Sequence, residues 1–413
     1  MTELQRGWKI VFACCIGICC SSSAIPFYTL GAFTVPLEAD FGWSRAEIQG
    51  AISFLTLGGL FTIPIAGMLV DKYGPRRVAL FSLCAFAITF ANIGLTTSSL
   101  VIFYANWTLM SALSAGTTPI TWTRAVNGWF DKNRGIALGF ALTGTGLAGI
   151  FTPNLATYLI QEFGWRHAFV GLSLLPVCVA LPIVYFFFRD PPEGRNQAAG
   201  EQQAVASVIR GVTLRKALKG RYFWTIAIAF FLISIGIGGT IPNLIPMLQD
   251  GGLAPATAAG VVGAIGLSVI FGRIIAGYLI DRFWAPGVAF VMLSLPAVSC
   301  MILAGDVQSV GRATIAAAII GLAAGAEFDL ISYLTSRYFG LKHYGKIYAW
   351  QFAAFSLGAG LAPPVFGRVF DLYGSYRPIL IAAAILYVLG SAALLTLGKY
   401  PNLLKVGTAK HSQ

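Results

Sequence analysis

Runs of roughly 19 to 26 mostly apolar residues recur along the chain, and each is long enough to cross about 30 Å of hydrocarbon as a helix. They fall near 9–33, 46–70, 76–96, 101–125, 135–160 and 167–188, then 222–247, 257–280, 286–304, 312–336, 346–370 and 378–398. Hydrophobic residues make up 57% of the 413 and charged residues only 11%, so little polar sequence is left for a separate soluble domain. The expectation is an all-α polytopic membrane protein with twelve transmembrane helices in two pseudo-symmetric six-helix halves. No small-residue cleavage site follows the first run, which reads as a retained helix rather than a signal peptide.

Basic residues sort to alternate connections, which sets orientation. One side holds Arg6 and Lys9; Lys72, Arg76 and Arg77; Lys132 and Arg134; the cluster from Arg189 to Arg221; Arg282; Arg337, Lys342 and Lys346; and Lys399, Lys405 and Lys410. The other side receives Arg45, Arg166, Arg312, Arg368 and Arg377, while Arg124 and Arg273 lie within spans. The richer side reads as cytoplasmic, with both termini on it, in an integral plasma (inner) membrane protein. The formal charge of +12 is this bias, favoured by anionic membrane lipid, and calls for no nucleic acid. All seven cysteines fall within spans, so no disulfide framework is implied. Cys14, Cys15, Cys19 and Cys20 lack the His or acidic partners of a metal site and read as packing residues. No cofactor is expected.

The longest hydrophilic stretch, opening "RDPPEGRNQAAGEQQ" at Arg189, divides six spans from six. The expected organisation is an N-terminal bundle (1–188), a cytoplasmic linker (189–221), a C-terminal bundle (222–398) and a cytoplasmic tail (399–413). Within the linker, "VTLRKALKGRYFW" reads as a basic amphipathic helix lying on the inner surface. The halves repeat each other. Gly67 and Asp71 in "GMLVDKYGPRR" recur as Gly277 and Asp281 in "GYLIDR", and Lys132, Gly135, Pro153 and Gly164 recur as Lys342, Gly345, Pro363 and Gly374, all at an offset of 210. A duplicated six-helix unit places a substrate site between the halves near the midplane, where rocking exposes it alternately.

These residues resemble the major facilitator superfamily. "GMLVDKYGPRR" is similar to its signature loop, "WFDKNRGIALGFALTGTGLAG" to the fifth-helix entry of its monocarboxylate transporter branch, and "GAEFDLISYLTSRYFGLKHYG" to the tenth helix of bacterial members related to the oxalate/formate antiporters. The resemblance spans the chain. It implies that Gly67, Asp71, Arg76 and Arg77, with Gly277, Asp281 and Arg282 in the second half, belong to conformational gating loops. Physically, Asp71 can accept from free N–H groups at a neighbouring helix start and pair with Lys72, Arg76 or Arg282. "GTGLAG" at Gly144–Gly149 fits a dinucleotide pattern, but it lies inside a span with no preceding strand. Gly139, Thr143, Gly146 and Gly149 suit close helix approach instead.

Four ionisable residues stand within spans. Arg273 is eight residues before Asp281, about 12 Å of helix from the boundary, too deep to snorkel easily. Its planar fork suits a carboxylate, either that of a substrate or that of Glu327 or Asp329 in a permanent pair. In the resembling branch an arginine of the eighth helix binds the substrate carboxylate, and Arg273 falls on that position. Arg124, about 9 Å from the inner end of its span, suits a gate or a snorkelling role. Tyr28, Phe27, Trp122, Tyr333 and Trp350 are candidates for the walls of an amphipathic pocket. Glu327 and Asp329 sit about 200° apart on one helix. Asp329 shares a polar stripe with Ser332, Tyr333 and Ser336, whereas Glu327 aligns with Ala323, Ala324, Leu330, Ile331 and Leu334. One of the two is expected to neutralise Arg273 in the empty site and take a proton when an anion arrives, with Asp329 the favoured carrier.

The function implied is secondary transport of small organic anions, monocarboxylates, by proton symport or exchange. Oxalate-type dicarboxylate exchange is the alternative, but "IYAWQFAAFSLGAGLAPPVF" lacks the second cation that the resembling oxalate exchangers carry in this helix. A transporter-derived sensor is the reading from another class. An enzyme is not expected: His167 and His343 lie in loops and His411 in the tail, with no catalytic motif around them.

Overall fold

Every apolar run folds as helix in the computed structural model, which describes residues 3–130, 133–190, 211–305, 309–340 and 342–401. Most of the expected linker (191–210), the tail beyond 401 and Lys132 lie outside the described residues. Spans two and three are Arg45–Tyr73 and Pro75–Ile93. Spans seven to twelve are Arg221–Asp250, Pro255–Arg282, Ala285–Leu303, Val310–Phe339, Tyr344–Tyr373 and Arg377–Leu395.

The remaining spans are broken in informative ways. Span one is two helices, Glu3–Cys19 and Ile25–Phe41, and span four is Leu100–Ser114 and Pro119–Trp129. Proline near the start of each second piece, Pro26 and Pro119, supplies no backbone donor and ends continuity with the helix before it. The two breaks pack on each other. Ser22 N donates to Thr117 Oγ1 at 3.1 Å, and Ser22 Oγ donates to Ser114 O at 3.4 Å, so hydroxyls take up groups that the interrupted ladders release. Spans five and six run through Arg134–Leu142, Gly144–Leu174 and Leu181–Phe187, and Gly164 makes the turn between them at φ 79°. By length and apolarity nine helices among the described residues qualify as crossings, the 54-residue stretch Arg134–Phe187 counting once. Its turn at Gly164 adds a tenth crossing, and the two broken spans complete twelve.

The repeat is visible in the backbone. Gly164 and Gly374, and likewise Gly42 and Gly252, stand 210 residues apart, and all four have positive φ, which glycine adopts without strain. The expected amphipathic surface helix is a correction: it is one turn, Leu214–Leu218, begun by Thr213, whose hydroxyl accepts from Lys216 N. Gly220 stops it, and Tyr222, Phe223 and Trp224 belong to span seven.

The bundle has two unlike faces. At the face opposite the basic loops, Arg45, Ala46, Gln49 and Ser53 of span two bond to residues of spans seven and eleven and of the connection to span twelve. Spans five and eight also touch closely, where Cβ atoms on Gly146 and Gly266 would stand 2.6 and 2.4 Å from each other's carbonyl oxygens. Toward the basic face, Cβ atoms on Gly135, Gly139, Gly277 and Gly345 would meet nothing within 4 Å. The halves are therefore fastened to each other at the face opposite the basic loops.

Candidate functional site

Spans eight and ten approach more closely than any side chain allows. A Cβ on Gly325 would stand 2.2 Å from Val269 O and 2.9 Å from Arg273 N, and one on Gly272 would stand 2.2 Å from Leu322 O. Small residues at these positions bring the two backbones into contact. Asp329 follows Gly325 by four residues, so this approach brings it to Arg273, with Glu327 within electrostatic range.

Arg273 is 7% exposed, and its Nη1 donates to Asp329 Oδ1 at 3.5 Å, long for a charged pair. Its Nε has no partner among the described residues. Glu327 is 3% exposed, and its Oε2 likewise has none. Its charge acts through space on Arg273 and on Tyr28 of the other half, with no ion pair to Arg273 among the described residues. On span ten Ala323, Ala324, Glu327, Leu330, Ile331 and Leu334 are buried, while Asp329, Ser332, Tyr333 and Ser336 are half-buried. The acids thus occupy different environments on one helix.

Aromatic residues complete the surroundings. Tyr28 packs on span five at Gly149, where a Cβ would stand 3.1 Å from its ring, and Phe27 meets it edge-on. From span eleven, Tyr348 lies within electrostatic range of Asp329 and Arg273, and the Tyr344 hydroxyl is 2.7 Å from Ser332 Oγ. Tyr344, Tyr348 and Phe352 stack in sequence at 5.5 and 6.0 Å. Neither Tyr344 nor Tyr348 stands out in sequence, although their four-residue spacing in "YGKIYAWQF" puts both rings on one helical face.

One wall candidate is corrected. Trp122 is fully buried inside the first half: its indole donates to Thr117 O at 2.8 Å, its ring fills the space beside Gly17, and it packs on Phe188. An aromatic in a helix served packing there. Trp350 is 57% exposed and stands near the start of span eleven, shallower than Arg273. Tyr333 is half-buried, one turn beyond Asp329, with the Arg337 guanidinium 6.0 Å from its ring.

The signature loop also pairs differently from expectation. Asp71 takes Arg124 Nη2 at 2.7 Å, both side chains being more than half exposed, in place of Lys72, Arg76 or Arg282. The carboxylate at the neighbouring helix start is Asp190, which accepts from Arg76 N at 2.9 Å. Arg76 also donates to Tyr185 O, and Arg77 is exposed. A Cβ on Gly67 would stand 3.3 Å from Ile120. In the second half Asp281 is exposed and the Arg282 guanidinium lies 3.7 Å over the Tyr278 ring.

A second buried arginine closes the far face. Arg45 bonds Asp250 through Nη1 and, at 2.8 Å, through Nη2; it donates to Tyr376 Oη at 3.1 Å and to Glu38 at 3.4 Å. Its guanidinium lies 3.7 Å over the Phe370 ring. Asp371 accepts the backbone N–H groups of Arg45 and Ala46, both at 3.0 Å.

Comparison with known proteins agrees with this architecture. A family model described as Major Facilitator Superfamily matches residues 14–363. Monocarboxylate transporter 13 of Rattus norvegicus is 26% identical over 423 aligned positions, covering 98% of this chain and 92% of that protein. The crystal structure of a D-xylose-proton symporter superposes with a TM-score of 0.73 at 14% identity, covering 96% of this chain and 98% of that one. A bacterial homologue of the human lysosomal transporter Spinster, in an inward-facing and occupied conformation, superposes at 0.70 with 18% identity, covering 96% and 97%.

Proposed function

The chain belongs to the Major Facilitator Superfamily, and from that premise we propose that it carries small organic anions, monocarboxylates, by alternating access coupled to protons or to exchange. The observation that carries this reading is Arg273. A guanidinium buried between the halves, with one long contact and a free Nε, is a receptor for a carboxylate. Tyr28 and Tyr333 flank the bound anion, joined by Tyr348.

With the basic face cytoplasmic in the plasma (inner) membrane, the fastened face is external and the site opens inward. The two bundles, 1–188 and 222–398, rock about it. Asp329 neutralises Arg273 in the empty site and takes the proton when the anion displaces it, while Glu327 sits on the packed side of the same helix. Asp71, Arg124 and the loop glycines re-pair as the inner side closes. A dicarboxylate would need a second deep cation, and the span-eleven face beside the site carries Tyr344, Tyr348 and Phe352.

The test is uptake of labelled lactate into proteoliposomes by wild type and Arg273→Lys, at matched protein. Lysine keeps the charge and loses the fork, so uptake falls at least tenfold, since a charged hydrogen bond is worth about 1.5–3 kcal/mol. Equal uptake by the lysine variant refutes the carboxylate role. Binding without any flux in wild type identifies a sensor instead.

A further inference from the structure

The two halves repeat at an offset of 210, yet spans one, four, five and six are each interrupted and their counterparts are continuous. Span one breaks between Cys19 and Ile25, and span four passes through a tight 3₁₀ turn at Ala115–Thr117. Span five changes helix at Thr143, and span six widens into a π-helical turn at Leu175–Ala180. The register of the repeat is strict, since Pro75–Ile93 matches Ala285–Leu303 and the helix start at Leu100 matches that at Val310. Ser22, Thr117, Thr143 and 175–180 therefore correspond to Leu232, Glu327, Ala353 and 385–390, all inside unbroken helices.

The four breaks lie at one level. Counted from Lys9, Phe130, Arg134 and Arg189 at the basic face, each stands about 13–18 Å deep. Three of them touch: Thr117 Oγ1 accepts from Ser22 N at 3.1 Å, Cys15 Sγ is 3.6 Å from Thr143 Oγ1, and Gly144 leaves no room for a Cβ against Cys15 O. On the basic side of this level the short pieces pack on one another. The Phe130 ring lies against Gly7, the Trp122 ring lies against Gly17, and Trp122 meets Phe188 at 5.2 Å. Polar links from this tier to spans two and three include the exposed pairs of Arg124 with Asp71 and of Asp190 with Arg76 N. Bending a continuous helix in hydrocarbon breaks backbone bonds that no water replaces. A helix already interrupted has lost those bonds, and mid-helix 3₁₀ and π turns mark such hinges.

We infer that the basic-face tier of the first half, made of Glu3–Cys19, Pro119–Trp129, Arg134–Leu142 and Leu181–Phe187, swings as one unit about this level, while the second half moves without bending. Closure of the basic face then has two parts, the rocking of the halves and the swing of this tier. Arg124 rides on the tier and Asp71 on the continuous span two, so the swing is what parts that pair. The hydroxyl contacts at the breaks hold the pieces of spans one and four together at the pivot.

The experiment measures distances between spin labels in the full-length protein, attached through an unnatural amino acid so that the seven cysteines stay untouched. Ile136 with Ile88 spans the level inside the first half, and Lys346 with Val298, at the same repeat positions, spans it inside the second; all four are exposed. Ile136 with Lys346 reads the separation of the halves. Each pair is measured in acidic and in neutral buffer, with and without lactate, and in Arg45→Met. Where Ile136–Lys346 shortens, Ile136–Ile88 should shift by about 2 Å or more, the scale of a helix displacement, and Lys346–Val298 should stay fixed. An Ile136–Ile88 distance that is the same in every sample overturns the inference. So does an equal shift in the second-half pair, or a shift unaccompanied by any change between the halves. Phe140 and Trp350, also exposed and again 210 apart, replace Ile136 and Lys346 if those labelled variants do not assemble. None of these distances depends on which anion is carried, so failure of the Arg273 reading leaves the test intact.

Discussion

Arg45 and Arg273 are both buried arginines in one membrane bundle, and they are held in opposite ways. Arg45 uses all three of its nitrogens, on Asp250, Tyr376 and Glu38, and stacks on Phe370. Arg273 has one contact, at 3.5 Å, and an unpartnered Nε. A saturated guanidinium has nothing left to offer a ligand and fastens the elements around it. An undersaturated one remains a receptor. Charge and burial are nearly the same at the two positions, so the difference lies in how many partners the fold brings to each.

The largest effect expected from this contrast is on stability. Arg45→Met removes the centre of a network joining span two to span seven and to the connection after span eleven, leaving Asp250 without its bidentate partner. Breaking a buried pair costs about 3–5 kcal/mol, and the partial exposure of Asp250 and Glu38 reduces this to about 2 kcal/mol. A lower melting temperature of the purified protein is the measure. Labelling of a Ser53→Cys variant from the far face should also rise, because Ser53 donates to Gly360 O across the same closed contact. Arg273→Met should leave the melting temperature unchanged or raise it, since a poorly paired buried charge is replaced by an apolar chain. The reverse pattern breaks the comparison.

A smaller effect separates the two acids beside Arg273. Asp329→Asn should keep counterflow exchange of the anion and lose accumulation driven by a pH gradient. Glu327→Gln should keep both. If Asp329→Asn still accumulates substrate against the gradient, the half-exposed acid does not carry the proton, and the undersaturation of Arg273 serves binding alone.

How much of this could be read in the chain follows from the range of each interaction. The crossings were legible because apolar length is a local property, and so was the split between Glu327 and Asp329, which needs only the helical repeat. The gathering of Arg273, Glu327 and Asp329 was suggested by depth alone, whereas the close approach at Gly272 and Gly325 is the cause of it. The Arg45 network was hidden. Its partners Asp250, Asp371 and Tyr376 lie more than two hundred residues away, and nothing local to "FGWSRAEI" marks them beyond the helix start at Ser44. Trp122 was misplaced for a related reason. Aromatic type does not say whether a ring packs, lines a path or faces lipid; only the neighbours decide.

The smallest expected effect belongs to Asp71 and Arg124, the exposed counterpart of both buried sites. Their 2.7 Å contact is shorter than that of Arg273 with Asp329, yet both side chains are more than half exposed. Solvent screens such a pair, and the entropy of fixing two long side chains offsets its attraction, so distance alone overstates its strength. A double-mutant cycle with Asp71→Asn and Arg124→Gln should give a coupling below about 1 kcal/mol in thermal stability, weakened further at high salt. Transport rate should respond more than stability does, because a pair this weak is easily exchanged for another partner when the basic face closes. A coupling as large as the Arg45 loss would mean that the loop is fixed in place, as firmly as the far face is held by Arg45.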